Sequence, residues 1–317
     1  MRVILAPMEG VVDDLMRDIL STINPYDLVV TEFVRVVDNL LPEKVFLKIC
    51  PELRQQGKTR SGTPVRVQLL GQQPEAMAEN AVRAIDLGSN GVDINFGCPA
   101  KTVNKSKGGA ILLQDPERVF QIVQAVRQAV PNEHAVTAKI RLGYEDKSKY
   151  MENALAIYEA GANELAVHAR SKVDGYKPPA YWEYITEINK RLDIPVIANG
   201  EIWNKADALR CLKQTGCEAV MVGRGAISLP NLAETIKTDA QPYDWAQALR
   251  LMLSYTEQEL GSRKSCYYPS RIKQWFSYLN RQYPEAKTLF RELRIFKTTE
   301  EIVHCLESAM TLLEKNK

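Results

Sequence analysis

Residues 195–227 read PVIANGEIWNKADALRCLKQTGCEAVMVGRGAI. A short apolar run, Pro195–Ala198, ends in Asn199-Gly200-Glu201. An amphipathic stretch closing on Gly216 follows, and a second apolar run, Ala219–Val222, ends in Gly223-Arg224-Gly225. Continuously apolar strands are buried on both faces, as parallel strands are, and a parallel partner needs a crossover helix. Gly216 suits the left-handed residue that often ends a helix. This is a βαβ unit with a glycine turn after each strand.

The same alternation extends back to the N-terminus. It predicts strands at Val3–Ala6, Asp27–Thr31, Val65–Leu70, Gly91–Phe96, Val136–Leu142 and Glu164–His168, with amphipathic stretches such as PEAMAENAVRAIDLG and PERVFQIVQAVRQAV between them. Eight strands alternating with helices predict an α/β fold, a (β/α)8 TIM barrel. A doubly wound sheet is the alternative, but no G-x-G-x-x-G follows an early strand. From about Tyr243 the strand signals stop. Four helical stretches follow, the last opened by a Thr298/Glu301 capping box. The expected organisation is a barrel over 1–241 and a small all-helical C-terminal domain over 242–317.

The longest apolar runs fall well short of the ~20 residues that cross a bilayer, so no membrane span is expected. The opening MRVILAPMEGVVDD reads as a buried first strand rather than a signal peptide. Six cysteines (50, 98, 211, 217, 266, 305) form no CxxC pair. No metal site is therefore expected, and a reducing cytoplasm is. Cys211 and Cys217 read as small hydrophobes. The net charge of +2 hides a basic cluster: residues 263–297 hold nine Lys or Arg against Glu285 and Glu292. Such a patch suits a polyanion met at one place.

In a barrel of this kind the site lies at the carboxyl ends of the strands. Glycine turns after strands 7 and 8 are the recurrent phosphate site, and Arg224 adds charge; tight turning alone is the competing reading. In TAKIRLG, Lys139 and Arg141 point the same way. Inside a barrel they need either an acid such as Asp93 or an anionic ligand. Gln68 offers a donor and an acceptor to the edge of a ring. Together these suggest a phosphorylated flat cofactor, flavin mononucleotide (FMN). His168 reads as either a structural histidine or a contact for cofactor or RNA. In DINFGCPAKTVNKSKGGA (93–110), Cys98 opens a basic loop that reads as a lid over a polyanion. A thiol there needs no adjacent base to act as a general acid; a plain buried cysteine is the other reading.

At these residues the chain resembles the tRNA-dihydrouridine synthases. APMEGVVDD is similar to that family's N-terminal motif, and N-x-G-C-P followed by Gly109-Ala110 matches its active-site signature. KIRLG, VHAR, IANGEI and MVGRGA match later motifs in order. The resemblance covers the whole chain and implies an FMN barrel that uses NADPH to reduce the C5–C6 bond of a tRNA uridine. It implies that Cys98 protonates C5, opposite a hydride delivered to C6. Pro7, Met8, Glu9, Gln68, Lys139 and His168 would line the flavin. Asn199, Gly200, Glu201, Gly223 and Arg224 would hold its phosphate. Asn95 and Arg141 would meet the uridine, and Arg35, Arg271, Lys273 and Gln274 would orient the tRNA. SRKSCYYPSRIKQWFSYLNRQ, with Tyr267, Tyr268, Trp275 and Tyr278 among its basic residues, would grip RNA; an aromatic core stripe is the alternative. Arg35 and the YKPPAYW stretch depart from many members. The look is closest to the bacterial C-type branch, whose target is D-loop position 16. A monomer without metal or membrane contact is expected. A flavin oxidoreductase of free pyrimidines, a phosphate-binding isomerase or aldolase, and a non-catalytic RNA binder are the competing readings.

Overall fold

The computed structural model describes residues 1–105, 107–262 and 264–315; Ser106 of the basic loop, Arg263 of the basic cluster and the last two residues of the final predicted helix lie outside them. Strands β1 (Arg2–Leu5), β2 (Leu28–Arg35), β3 (Val65–Leu70), β4 (Val92–Phe96), β5 (Val136–Arg141), β6 (Glu164–His168), β7 (Val196–Asn199) and β8 (Ala219–Val222) are parallel. They close in chain order into a barrel, β1 pairing with β8. Around and between them run α1 (Asp14–Thr22), α2 (Glu43–Ile49), α3 (Pro74–Asp86), α4 (Lys101–Lys105), α5 (Pro116–Ala129), α6 (Tyr150–Glu159), α7 (Trp182–Arg191), α8 (Lys205–Thr215), α9 (Arg224–Ser228) and α10 (Leu232–Lys237). Then come α11 (Trp245–Leu260), α12 (Tyr268–Leu279), α13 (Pro284–Leu293) and α14 (Thr299–Lys315).

Local chemistry sets the helix ends. Pro74 and Pro116 sit in first turns, where a missing N–H is no loss. The Asn204 side chain caps α8, and Gly216 ends it in the left-handed conformation. Thr298 and Glu301 exchange the hydrogen bonds of the expected capping box.

Alternation along the strands divides the residues between two environments. Val3, Leu5, Val65, Val67, Ile94 and Ile140 face outward into the core shared with the helices. Inside the barrel, Ile4, Leu28, Val30, Ala166, Ile197 and Met221 form a smaller apolar cluster. β3, β4 and β5 instead put Gln68, Asp93, Asn95, Lys139 and Arg141 on the lumen side, with Gln68 beside Asp93 and Asn95 beside Lys139 in register. One side of the lumen is thus apolar and the other polar.

Two expectations change. β2 does not stop at Thr31 but runs to Arg35, with a register shift against β3 between Val30 and Phe33. The polar residues of TEFVR interrupt the apolar run that would have revealed it, and the bulge turns Glu32 and Phe33 to the cavity at the barrel mouth. The stretch after Cys98 is folded rather than open, into α4 and a 3-10 turn over Gly109–Gln114.

The helical region docks through Trp275, whose Nε1 donates to the Ile227 carbonyl at 3.1 Å. Tyr268 and Trp275 are buried, so they belong to the core stripe and present no stacking face to RNA. Beside them an ion cluster joins helical region and barrel. Arg271 pairs with Asp13 and lies 3.5 Å from the enclosed Glu259, while Lys264 reaches Asp13 and Asp14. Burial opposes ionisation of Asp13, but the Arg271 hydrogen bond and the adjacent cations win and take its pKa from 3.8 to about 2. A carboxylate depressed by folding stabilises the native state above the unfolded pKa, and that contribution fades as pH falls from 4 through 2. Asp13→Asn is expected to lower the unfolding free energy by about 2 kcal/mol at pH 7. It should also flatten the loss of stability between pH 4 and pH 2; urea melts at both ends of that range check both points.

Candidate active site

The barrel mouth holds a cavity of about 450 Å3. Its walls come from residues at or just past the ends of β1, β4, β6, β7 and β8, together with side chains of β2, β3 and β5. Pro7, Met8, Glu9, Gln68, Asn95, Cys98, Lys139, Arg141, His168, Asn199, Gly200, Glu201, Gly223 and Arg224 all border it. The strand alternation that fills the lumen therefore gathers fourteen separately predicted residues at one place.

Lys139 is half-buried in the cavity wall and, among the described residues, forms no ion pair or hydrogen bond. Burial, seconded by the charge on Arg141, pushes its pKa down to about 8. Asp93 does not pair with it directly. That carboxylate accepts from Gln68 Nε2 at 2.7 Å and Thr137 Oγ1 at 2.6 Å, and burial raises its pKa. Gln68 is itself engaged at both ends, its Oε1 accepting from Asn95 Nδ2 at 2.7 Å. One hydrogen and one lone pair are left on its amide for a ring edge. His168 is neutral: burial, then the cations at Arg141, Lys139, Arg170 and Arg224, take its pKa well below the usual value.

Cys98 is held by its backbone. Its N–H and that of Gly97 donate to Asn95 Oδ1 at 2.9 and 2.8 Å. Its carbonyl accepts from Asn104 Nδ2 at 3.0 Å and from the Ala110 N–H at 3.1 Å. Asn104 Oδ1 takes the Ile111 N–H at 2.8 Å, so this one buried amide fastens both ends of the loop. Gly109 lies against the cysteine at φ +70°, where a Cβ would come within 2.9 Å of the Cys98 carbonyl oxygen. Burial raises the thiol pKa above its ordinary value, so the group carries its proton at neutral pH. A thiol that keeps its proton is a poor nucleophile and has a proton to give.

The turns after β7 and β8 form the other wall. Gly200, at φ +123°, lets the backbone pass His168, whose Cδ2 would lie 3.1 Å from a Cβ there. The first N–H groups of α9, at Arg224 and Gly225, have no acceptor within the helix. Those amides and Arg224 form a donor set of the kind that holds a phosphate. Glu201 differs from its expected part. Its carboxylate faces Arg170 and takes Trp203 Nε1 at 2.9 Å. Burial opposes its ionisation, and the Arg170 hydrogen bond more than offsets this.

Of the four residues expected to orient tRNA, two are engaged within the protein. Arg35 ends β2 and is exposed, as is Gln274. Arg271 is committed to Asp13, and Lys273 Nζ donates to the Phe296 carbonyl at 2.5 Å. Glu32, Tyr176, Trp203 and Tyr278 border the cavity without having been singled out for it. Burial raises the Glu32 pKa, and its carboxylate accepts the Gly10 N–H. The loop residues Tyr176 and Trp203 carry no periodic signal, though Trp203 stands two residues past the Asn-Gly-Glu turn.

The family model described as dihydrouridine synthase (Dus) matches residues 4–314. The chain belongs to the dihydrouridine synthase family. It is an enzyme of that family, 78% identical over 309 residues, 98% of each chain, to the tRNA-dihydrouridine(16) synthase of Shewanella oneidensis. It is 50% identical over 309 residues, 97% of this chain and 98% of the other, to the tRNA-dihydrouridine(16) synthase of Escherichia coli K12. Among solved structures, a 2-naphthoyl-CoA reductase aligns with 74% of this chain and 50% of its own at a TM-score of 0.58 and 11% identity. Morphinone reductase aligns with 77% and 88% at a TM-score of 0.51 and 13% identity. At such identities the shared property is the barrel. Asn104→Ala in this dihydrouridine synthase should release the Cys98 loop and speed alkylation of Cys98 by about tenfold, because the local opening that exposes the thiol then costs about 1.4 kcal/mol less. Peptide-resolved mass spectrometry with iodoacetamide, with the exposed Cys266 as internal reference, measures it.

Proposed function

We propose that this enzyme reduces a uridine in the D loop of tRNA, at position 16, to 5,6-dihydrouridine, using bound FMN and NADPH. The observation that carries the reading is that the Cys98 thiol and the Lys139 ammonium, which has no counterion among the described residues, border one cavity. The two relatives named for position 16 support the choice of substrate. Membership of the family sets aside the isomerase, aldolase and non-catalytic readings. An oxidoreductase of free pyrimidines is disfavoured by the same two names.

The cavity residues fit FMN. Met8 and Ala6 bring an apolar wall, Gln68 and Lys139 polar groups for the ring, and Arg224 with the α9 amides the donors for a phosphate. When bound and reduced by NADPH, FMN supplies the hydride that adds to C6 of the uracil. Lys139 places a positive charge beside the ring. Cys98 gives its proton to C5, the C5–C6 π bond being lost as the two hydrogens are gained, and the thiolate then recovers a proton from solvent. Asn95 and Asn104 keep that thiol in place, and Arg141 presents its remaining N–H groups toward the base. A uracil stacked within tRNA must be turned out to reach this depth.

With Arg271 and Lys273 engaged internally, the tRNA backbone is assigned to the exposed Lys287, Arg291, Arg294 and Lys297, with Arg35 and Gln274. Arg291→Gln with Arg294→Gln is expected to lower the slope of log affinity against log salt by about 1–2, in filter binding of unmodified tRNA. Cys98→Ala is expected to retain flavin and tRNA binding and to lose dihydrouridine formation, read by mass spectrometry of the tRNA. Lys139 is charged below its pKa, so turnover should fall as pH rises through about 8. Lys139→Met should lack that limb.

A further inference from the structure

Trp203, between β7 and α8, has two guanidiniums over its ring. The central carbon of Arg281, from the turn that follows α12, lies 3.8 Å from the ring centroid, and that of Arg224 lies 5.0 Å away. Arg224 also lies 4.7 Å from the ring of Tyr176. Arg224 thus meets two aromatic rings. The edge of the indole is fixed as well: Nε1 donates at 2.9 Å to Glu201 Oε1, while Oε2 of the same carboxylate pairs with the buried Arg170 and stands 3.9 Å from Arg224 Nη2. Glu201 itself sits at φ +58°.

A free arginine side chain carries about 2 kcal/mol of rotamer entropy, and that is lost when it seizes an anion. Aromatic faces over a guanidinium leave its in-plane N–H groups for an anion and restrict the side chain before the anion arrives. Glu201 alone cannot set the angle, since at 3.9 Å it is a loose partner. We propose that Trp203 is a positioning residue for the cofactor's phosphate, acting through Arg224, and that Arg281 of the helical region holds the indole in its place. This rests on the reading of the β7 and β8 turns as the phosphate site of FMN. It assigns the helical region a part in cofactor retention separate from any contact with tRNA.

Riboflavin, which has the ring and lacks the phosphate, separates positioning from general support of the cavity. Flavin fluorescence recovered on diluting the holoenzyme gives the FMN dissociation constant, and exchange with riboflavin gives the phosphate-free value. Trp203→Leu is expected to weaken FMN about tenfold and riboflavin less than about twofold, since one well-formed guanidinium–ring contact corresponds to about 1.4 kcal/mol. Trp203→Phe, which keeps a ring face, should recover most of the loss, and Arg281→Gln should give a smaller loss confined to FMN. An equal loss of both flavins in Trp203→Leu would make the residue general scaffolding and overturn the inference. So would unchanged FMN binding in Trp203→Leu where Arg224→Leu weakens it. If Arg224→Leu leaves the preference for FMN over riboflavin intact, the phosphate reading itself fails, and the inference with it.

Discussion

A half-buried ammonium with no counterion among the described residues, in the wall of the barrel cavity, is the constraint around which the rest is arranged. Lys139 stands beside Asn95 in register, and the nearest acid, Asp93, is occupied by Gln68 and Thr137. Burying a lone charge is costly, and a protein tolerates it where a ligand or a reaction makes use of the charge. The apolar half of the lumen, from β1, β2 and β6 to β8, raises that cost by excluding water. The polar half lowers it with the side-chain dipoles of Gln68, Asn95 and Thr137. The site is therefore electrostatically prepared before any ligand enters, and its preparation is built from strands, the stiffest parts of the fold.

The thiol is placed with similar economy. Asn95 ties the N–H side of Cys98, Asn104 its carbonyl, and Gly109 leaves just enough room for the cysteine to lie where it does. Three residues within 15 positions of sequence thus hold one thiol, while the opposite wall of the cavity is built from turns that begin at Asn199, 90 residues past Gly109. The bulge in β2 completes the mouth by turning Glu32 inward, where its carboxylate secures the Gly10 turn beside Met8 and Glu9.

The barrel and the gathering of its site were legible because both follow from short-range pattern. Apolar runs gave the strands, glycines their ends, and strand alternation put Gln68, Lys139 and Arg141 on the lumen side. What escaped was set by partners distant in sequence. Arg271 reads as a surface cation in its own helix, yet its counterion is Asp13, 258 residues away. Tyr268 and Trp275 look equally like a stacking platform and a core stripe until the helix has a neighbour to bury them. Trp203 and Tyr176 lie in loops, where no period marks which way a side chain turns. Local sequence specified the elements and much of the cavity wall; the contacts between elements decided which charges stayed available.

The bridge of Asp13, Asp14, Lys264 and Arg271 sits directly after the first cavity-lining turn of the chain. Opposite charges on the two parts of the chain are sequestered against one another there, with the Trp275 indole anchored nearby on α9. Severing the helical region would strand carboxylates and bare an apolar face on the barrel at once. The two parts should therefore melt together, as one cooperative body.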